Sequence, residues 1–327
     1  NLVNTYNILA DKRQLLTKMK FLKNIFIKRF KSQYPKHLIC FKNWTHDMVM
    51  DVLGSALNLK CCVRDTHCKR LNVLAGSKVM ILQEVNEPFL NMAVSKAATL
   101  LGAYDVNITD NLVWEQDYVG RIFSYMADVI FVATMTHMCV QRFANQSTVP
   151  VLCMRSRTHA SIQALATIMS IIEEFGSLRD LNFAYCGSPH PVLNSYLLLC
   201  PMLGANIKFK CCCKKCPVSP LLFKASEDMT TRTKTGLKEC LSKDQVLKDA
   251  SVIIGGPADA KKVHEFKLHD IESNTKNKWI FYHTGPRGNE VEDNLFSHQN
   301  SRTFDAFENF HYISAALLAY VIKDHKF

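Results

Sequence analysis

Leu178-Arg-Asp-Leu-Asn-Phe-Ala-Tyr-Cys-Gly187 carries a short apolar run, residues 181–185, set between a leucine-bearing turn and a glycine, and it reads as a strand. On its N-terminal side residues 160–175 follow a helical pattern that Gly176 ends, and this long helix is taken as the bridge between two domains. On its C-terminal side a helix over 191–203 leads to a strand at 206–211. A helix over 243–248 then precedes strands at 251–254 and 279–282, and a helix over 310–322 closes the chain. The first half alternates in the same way. Thr45 caps a helix over 46–59, followed by a strand at 78–83, a helix over 91–101 stopped by Gly102-Ala103, and a strand at 104–108. A helix over 118–126, a strand at 128–133, a helix over 137–145 and a strand at 149–154 complete it. Strands alternating with helices predict an α/β protein of two doubly wound parallel sheets in series.

Composition fits two globular domains: 327 residues, 48% apolar and 21% charged. No apolar run approaches the roughly 20 residues that cross a bilayer. The formal charge of +11 is unevenly spread. Lys12, Arg13, Lys18, Lys20, Lys23, Lys28, Arg29 and Lys31 form a basic block with no acidic residue among them, which argues for a basic arm and against a nucleic-acid-binding fold. Leu15, Met19, Leu22, Phe26 and Phe30 recur at spacings of three and four, giving that arm one apolar stripe. It reads either as a docking, membrane-surface or targeting helix or as an arm packed on its own domain, and Pro35 closes it. The first residue is an asparagine, which leaves open a preceding leader.

Thirteen cysteines without a visible secretory signal read as reduced intracellular thiols. Cys213-Lys-Lys-Cys216, beside Cys211 and Cys212, has the spacing of half a zinc site. The only other cluster is Cys61, Cys62 and Cys68, and the expectation is thiols without a metal. The histidines show no ligand spacing. Gly255-Gly256 lacks the surroundings of a phosphate-cradling loop and reads as a turn. No cofactor is expected. Asn107-Ile-Thr109 and Asn145-Gln-Ser147 match the glycosylation pattern by chance.

Several stretches in order resemble the ornithine and aspartate carbamoyltransferase family, with ornithine carbamoyltransferase the nearer relative. The Leu178–Gly187 run looks like the opening of its second, amino-acid-binding domain. Phe281-Tyr-His-Thr-Gly-Pro286 with Glu290-Val291 resembles its His-Cys-Leu-Pro motif and trailing Glu-Val. Residues 304–309 are similar to its closing Ala-Glu-Asn-Arg segment, Ile162-Gln163 to its His-Pro-x-Gln region, and Asp128-Val-Ile to its Ala-Asp-Ala-Ile strand. The resemblance covers about 37–325, beyond the basic arm over 1–36, and implies a carbamoyl-phosphate-type domain over 37–165 completed by 305–327. It implies a second domain over 166–304 and association around a threefold axis into a homotrimer.

Carbamoyl transfer sets an anionic phosphate donor against an amine, so its site needs cations, helix N-terminal amides and donors toward the carbamoyl oxygen. The resemblance implies that these are missing. The family's Ser-Thr-Arg-Thr-Arg turn aligns with Glu87-Pro88-Phe89-Leu90-Asn91. Its next arginine falls at Ala133, its His-Pro pair at Ala160-Ser161, its last arginine at Phe310, and its paired asparagines at His190-Pro191. The cysteine of His-Cys-Leu-Pro becomes Thr284, and its Asp-x-Trp-x-Ser-Met-Gly run has no counterpart at 255–259. His159 lies one residue from the His-Pro register, and a shift would restore it. Gln163, His283, Pro286, Glu308 and Asn309 survive, residues that packing and turns also keep.

Two functions follow as expectations. One is a catalytically inactive structural or assembly subunit that meets an acidic protein surface through residues 12–31, in mitochondria or else in the cytoplasm or cytoskeleton. The other is a divergent transferase with a rebuilt site, drawing on Arg155 or Arg157. Glu87 favours the first, because a carboxylate repels a phosphate.

Overall fold

Thr45 does cap the first helix: its hydroxyl accepts from the Met48 amide at 3.3 Å, and the helix, α1 (His46–Thr66), runs past residue 59 for about two further turns. The computed structural model describes residues 36–109, 116, 118–211, 218–257, 266–275 and 278–327. The arm over 1–35, Cys212, Cys213, Cys216, Ala258 and Asp259 lie outside the described residues.

The first sheet holds β1 (Lys78–Gln83), β2 (Tyr104–Thr109), β3 (Val129–Ala133) and β4 (Val151–Arg155), parallel throughout in the order β2-β1-β3-β4. Its connecting helices are α2 (Pro88–Leu101), α3 (Val119–Ser124) and α4 (His137–Gln146). The bridge, α5 (Ser161–Phe175), starts one residue later than the sequence suggests and ends at Gly176, whose φ of 78° is the left-handed cap that favours glycine. Beyond it β5 (Asn182–Gly187), β6 (Asn206–Cys211), β7 (Leu237–Glu239), β8 (Val252–Gly255) and β9 (Ile280–His283) form a second parallel sheet in the order β7-β6-β5-β8-β9. Helices α6 (Pro191–Met202), α7 (Pro220–Thr233), α8 (Lys243–Leu247), α9 (Leu268–Asn274) and α10 (Asp293–Phe296) surround it. The last helix, α11 (Thr303–Lys323), starts seven residues before the expected 310. The fold is thus the doubly wound α/β architecture the alternation implies.

Residues His37–Phe327 form one unit containing both sheets. Helix α5 joins them and is buried from Ser161 to Ile171 except at Gln163. A helix this apolar is held by packing on every side. Helix α11 lies against α1, α2 and α5, which returns the C-terminus to the first sheet. In each sheet the strand order reverses beside the first strand, between β1 and β3 and between β5 and β8. In open parallel sheets the crevice for ligands lies beyond the C-terminal strand ends at such reversals. Among the described residues no helix is long and apolar enough to cross a membrane.

Candidate functional site

The loops at those strand ends enclose a cleft of about 290 Å³. It is lined by residues 86–90 after β1, Arg155 at the end of β4, Gln163 on α5, His190 before α6, residues 284–286 after β9, and Phe307 and Phe310 on α11. The residues that sequence reasoning assigned to a vanished phosphate turn therefore do meet its surviving Gln163 and Pro286 in one place. Gln163 is the half-buried exception on α5 because its amide turns into this cleft, donating to the Thr284 carbonyl at 2.8 Å.

Charge in the cleft is internally compensated. The Arg155 guanidinium donates to the Glu87 carboxylate as an ion pair. Burial pushes the Glu87 carboxyl above its ordinary value, and Arg155 opposes that rise without cancelling it. The start of α2 offers few donors. Pro88 at its first turn has no N–H, the Glu87 amide is taken by Gln83 Oε1 at 3.0 Å, and the Asn91 amide bonds the Glu87 carbonyl at 2.9 Å. Asn91 itself is not in the cleft lining. Aromatic rings line one side of it. Phe89 and Phe307 meet edge to face at 5.9 Å between centroids, and Phe307 and Phe310 stand 5.1 Å apart.

His190 caps α6 by accepting from the Val192 amide at 3.2 Å. Burial, then the nearby Arg155 and His283, lower its pKa to about 3, so the ring is neutral. His283 is buried behind the cleft wall, not in its lining. Its Nδ1 accepts from the Gly285 amide at 3.0 Å, which leaves the proton on Nε2, 2.8 Å from the Glu290 carboxylate. Burial lowers the His283 pKa against the pull of Glu290. Both Glu290 oxygens accept from the Gly288 amide at 2.9 Å, so this pair braces the loop that carries the cis Gly285–Pro286 bond.

Residues 179–321 match the family model for the aspartate/ornithine carbamoyltransferase Asp/Orn binding domain. Ornithine carbamoyltransferase of Prochlorococcus marinus subsp. pastoris is 27% identical over 271 residues, covering 77% of this chain and 87% of its own. Over these residues the chain is similar to the aspartate/ornithine carbamoyltransferase family. Mitochondrial ornithine carbamoyltransferase of Aquarana catesbeiana is 22% identical over 317 residues, 89% of this chain and 87% of that one. The ornithine carbamoyltransferase structure from Pyrococcus furiosus superposes with a TM-score of 0.83 at 21% identity, covering 89% of this chain and 98% of that one.

Within that family frame, the other marked positions fall as follows. Ala133, at the arginine position after β3, ends the strand fully buried. Ala160 is buried too, and its amide donates to Ser195 Oγ at 3.2 Å. The register shift that would restore the His-Pro pair does not place His159 in the cleft: its ring faces His137 and Ser195 instead. Arg157 is exposed and outside the cleft lining, so of the two arginines only Arg155 reaches it. Glu308 and Asn309 turn away from the cleft. Asn309 accepts from Lys60 Nζ at 2.7 Å and donates to Glu173 at 2.9 Å, while Glu308 receives the Arg64 guanidinium at 2.8 and 2.9 Å.

Gly255-Gly256, read from the sequence as a turn, is instead the end of β8 and the residue after it, both closely packed. The Gly256 amide donates to the Cys186 carbonyl at 2.7 Å, and a Cβ at Gly256 would lie 2.8 Å from the Ser188 carbonyl and against the Tyr185 hydroxyl. Backbone fills the space a phosphate would need. One reading needs correction. The histidines are not all scattered: His137 and His159 converge with Cys40, three residues whose sequence separations carry no ligand spacing because the sheet brings them together.

Proposed function

We propose that this chain is a catalytically inactive, carbamoyltransferase-like protein that serves as a structural or assembly subunit of a larger complex. The observation that carries this is the Glu87–Arg155 pair: among the described residues the one cation lining the cleft is engaged by a carboxylate of the same chain. A unit charge about 5 Å away at an effective dielectric near 20 is worth roughly 3 kcal/mol, more than a hundredfold in affinity. Glu87 therefore excludes the phosphate that the family turn would seat. Phe89 and Phe310 supply no hydrogen bonds where donors are needed. The surviving Glu308 and Asn309 hold helices together, and His283 holds a loop.

Calorimetric titration with carbamoyl phosphate tests this, and the expected result is no heat of binding up to millimolar ligand. Micromolar binding by the unmodified protein would sink the proposal. Glu87→Gln keeps a hydrogen-bond acceptor for Arg155 but removes the charge. It should bind inorganic phosphate at least about a hundredfold more tightly than the parent chain.

The second reading, a divergent transferase, rests on the convergence of Arg155, Gln163, His190 and the buried Thr284 hydroxyl, which has no hydrogen-bond partner among the described residues. Turnover of a carbamoyl donor with an amine acceptor would select it.

In the proposed role residues 37–165 with 305–327 form one functional half and 166–304 the other, and the basic block at 12–31 meets an acidic partner. Deleting residues 1–34 should leave a folded body that no longer joins its complex, and assembly of the intact chain should weaken steeply with salt. Native mass measurement of the two forms would show it, and normal assembly of the truncated form would refute it. A homotrimer is the oligomer we expect of the isolated protein. We place the protein in mitochondria, supported by the mitochondrial relative from Aquarana catesbeiana and by the basic amphipathic arm.

A further inference from the structure

Cys40, His137 and His159 come from three separate segments, and each offers a ligand atom within 4.8 Å of the others. Parallel pairing explains the convergence. Strands β3 and β4 lie side by side, so His137, opening α4 after β3, and His159, in the turn after β4, leave neighbouring strand ends. The segment before Cys40 is stitched to the outer edge of β4: the Leu38 amide donates to Val151 and the Cys153 amide donates to Leu38, at 3.0 and 2.8 Å. Cys40 is thereby delivered to the same end of the sheet. The two rings stand 5.0 Å apart, centroid to centroid, at 59°.

Ordinary packing accounts poorly for the ring nitrogens. His159 is buried, yet its best ring contact is Ser195 Oγ at 3.5 Å, and His137 reaches Ser156 Oγ only at 3.4 Å. Both distances are at the outer limit of a hydrogen bond. A buried imidazole carries a donor and an acceptor, and leaving them so weakly matched is costly. A bound cation would satisfy them, and serines beside Nδ1 are placed as the outer partners that orient ligating rings. Burial lowers the pKa of both histidines, so the rings are neutral and able to coordinate.

We propose that Cys40, His137 and His159 form a metal site for a zinc-class divalent cation, lying outside the carbamoyltransferase cleft. One thiolate and two imidazoles match the borderline-soft preference of zinc and leave one tetrahedral position for water or an outside donor. With Zn–S near 2.3 Å and Zn–N near 2.0–2.1 Å, ligand atoms must stand about 3.3–3.7 Å apart, so closure takes side-chain movement on the order of 1 Å. The Cys40 thiol gives up its proton to the solvent as the metal–sulfur bond forms. The bound ion would tie the segment ahead of α1 to the C-terminal edge of the first sheet, which makes its role structural.

Cobalt titration of the full reduced chain tests the proposal, because cobalt reports thiolate ligation by a charge-transfer band and zinc then displaces it. The unmodified protein should show the band, and zinc should raise its melting temperature. Cys40→Ser should abolish the band. His137→Asn and His159→Asn should weaken affinity by more than the roughly 10–100-fold that loss of an outer partner costs. His137 is only half buried, so its variant keeps the test valid if the His159 variant fails to fold. Absence of the band, its persistence in Cys40→Ser through the other cysteines, or unchanged affinity in His137→Asn would each overturn the assignment.

Discussion

Lowering the pH from about 7.5 to about 5 should remove at least roughly 4 kcal/mol of stability, the share of two buried histidines that stay neutral in the fold. Burial holds His190 down to about 3 and His311 down to about 4, with Arg155 and His283 assisting at the first and Lys96 at the second. Both side chains are more than nine-tenths buried, so little of the effect is lost to solvent. The sign follows from proton counting. Above about pH 6.5 neither the folded nor the unfolded chain protonates these rings, and stability is flat. Below it the unfolded chain takes up protons that the fold refuses, so stability falls until pH reaches the folded values. At pH 5 each ring contributes about 1.5 pKa units, or roughly 2 kcal/mol. His37, held near 4 by burial, and His159, held near 3 by burial and the neighbouring His137, add in the same direction. Glu87, whose carboxyl is raised, opposes the loss modestly. Against a total of about 5–15 kcal/mol for a native protein, this is a large share. Urea midpoints at the two pH values measure it. His190→Asn keeps an acceptor for the Val192 amide but cannot titrate, so its loss over this range should be smaller by roughly 2 kcal/mol. An unchanged slope would show that His190 is protonated in the fold.

The fold was legible wherever burial imposed a period. Strand β1 was read residue for residue because it is an apolar run, and β6 likewise because Ile207 and Phe209 alternate with polar residues. Helix α7 was missed because its stripe is weak: Leu222, Ala225 and Met229 pack only partly buried, and the buried positions are Ser226 and Thr230. The start signal, Ser219 capping the Leu222 amide ahead of Pro220, was present in the sequence but isolated. Strand β7 is a three-residue edge, largely exposed, and α10 is a single turn.

The cleft was half legible. The turn at 86–91 was found through its family register, and Glu87 was read as repulsive to phosphate. What sequence did not reveal is that Glu87 already has a partner, because Arg155 is 68 residues away and meets it only when β1 and β4 are placed in one sheet. The same limit hid the Cys40, His137 and His159 trio, where proximity is a property of strand order. Glu308 and Asn309, retained in the family register, make contacts between helices, a role the sequence reading had left open. Their neighbours Phe307 and Phe310 face the cleft, and helical geometry turns the two residues between them toward α1 and α5.

Lys60→Met is expected to cost about 3 kcal/mol, the low end for removing one partner of a buried ion pair. The Lys60 side chain is only 6% exposed, and its ammonium lies 2.7 Å from Glu173, 2.7 Å from the Asn309 carbonyl and 3.7 Å from Glu308. It joins α1 to α5 and α11. Methionine keeps most of the aliphatic stem but leaves Glu173 without its cation, at a position where the carboxylate is mostly withdrawn from water. Glu308 suffers less, because Arg64 still holds it at 2.8 Å. That second pair is largely solvated, so Glu308→Gln should cost less than about 1 kcal/mol. Adding Glu173→Gln to Lys60→Met removes the stranded charge while keeping an acceptor for Asn309, and it should recover most of the loss. Chemical denaturation of the three variants measures this directly. Phosphate binding by the Glu87→Gln background should be indifferent to all of them, since none lines the cleft. Were Lys60→Met to cost nothing while Asn309→Ala abolished that binding, Asn309 would belong to the cleft, and its survival would have to be read as functional after all.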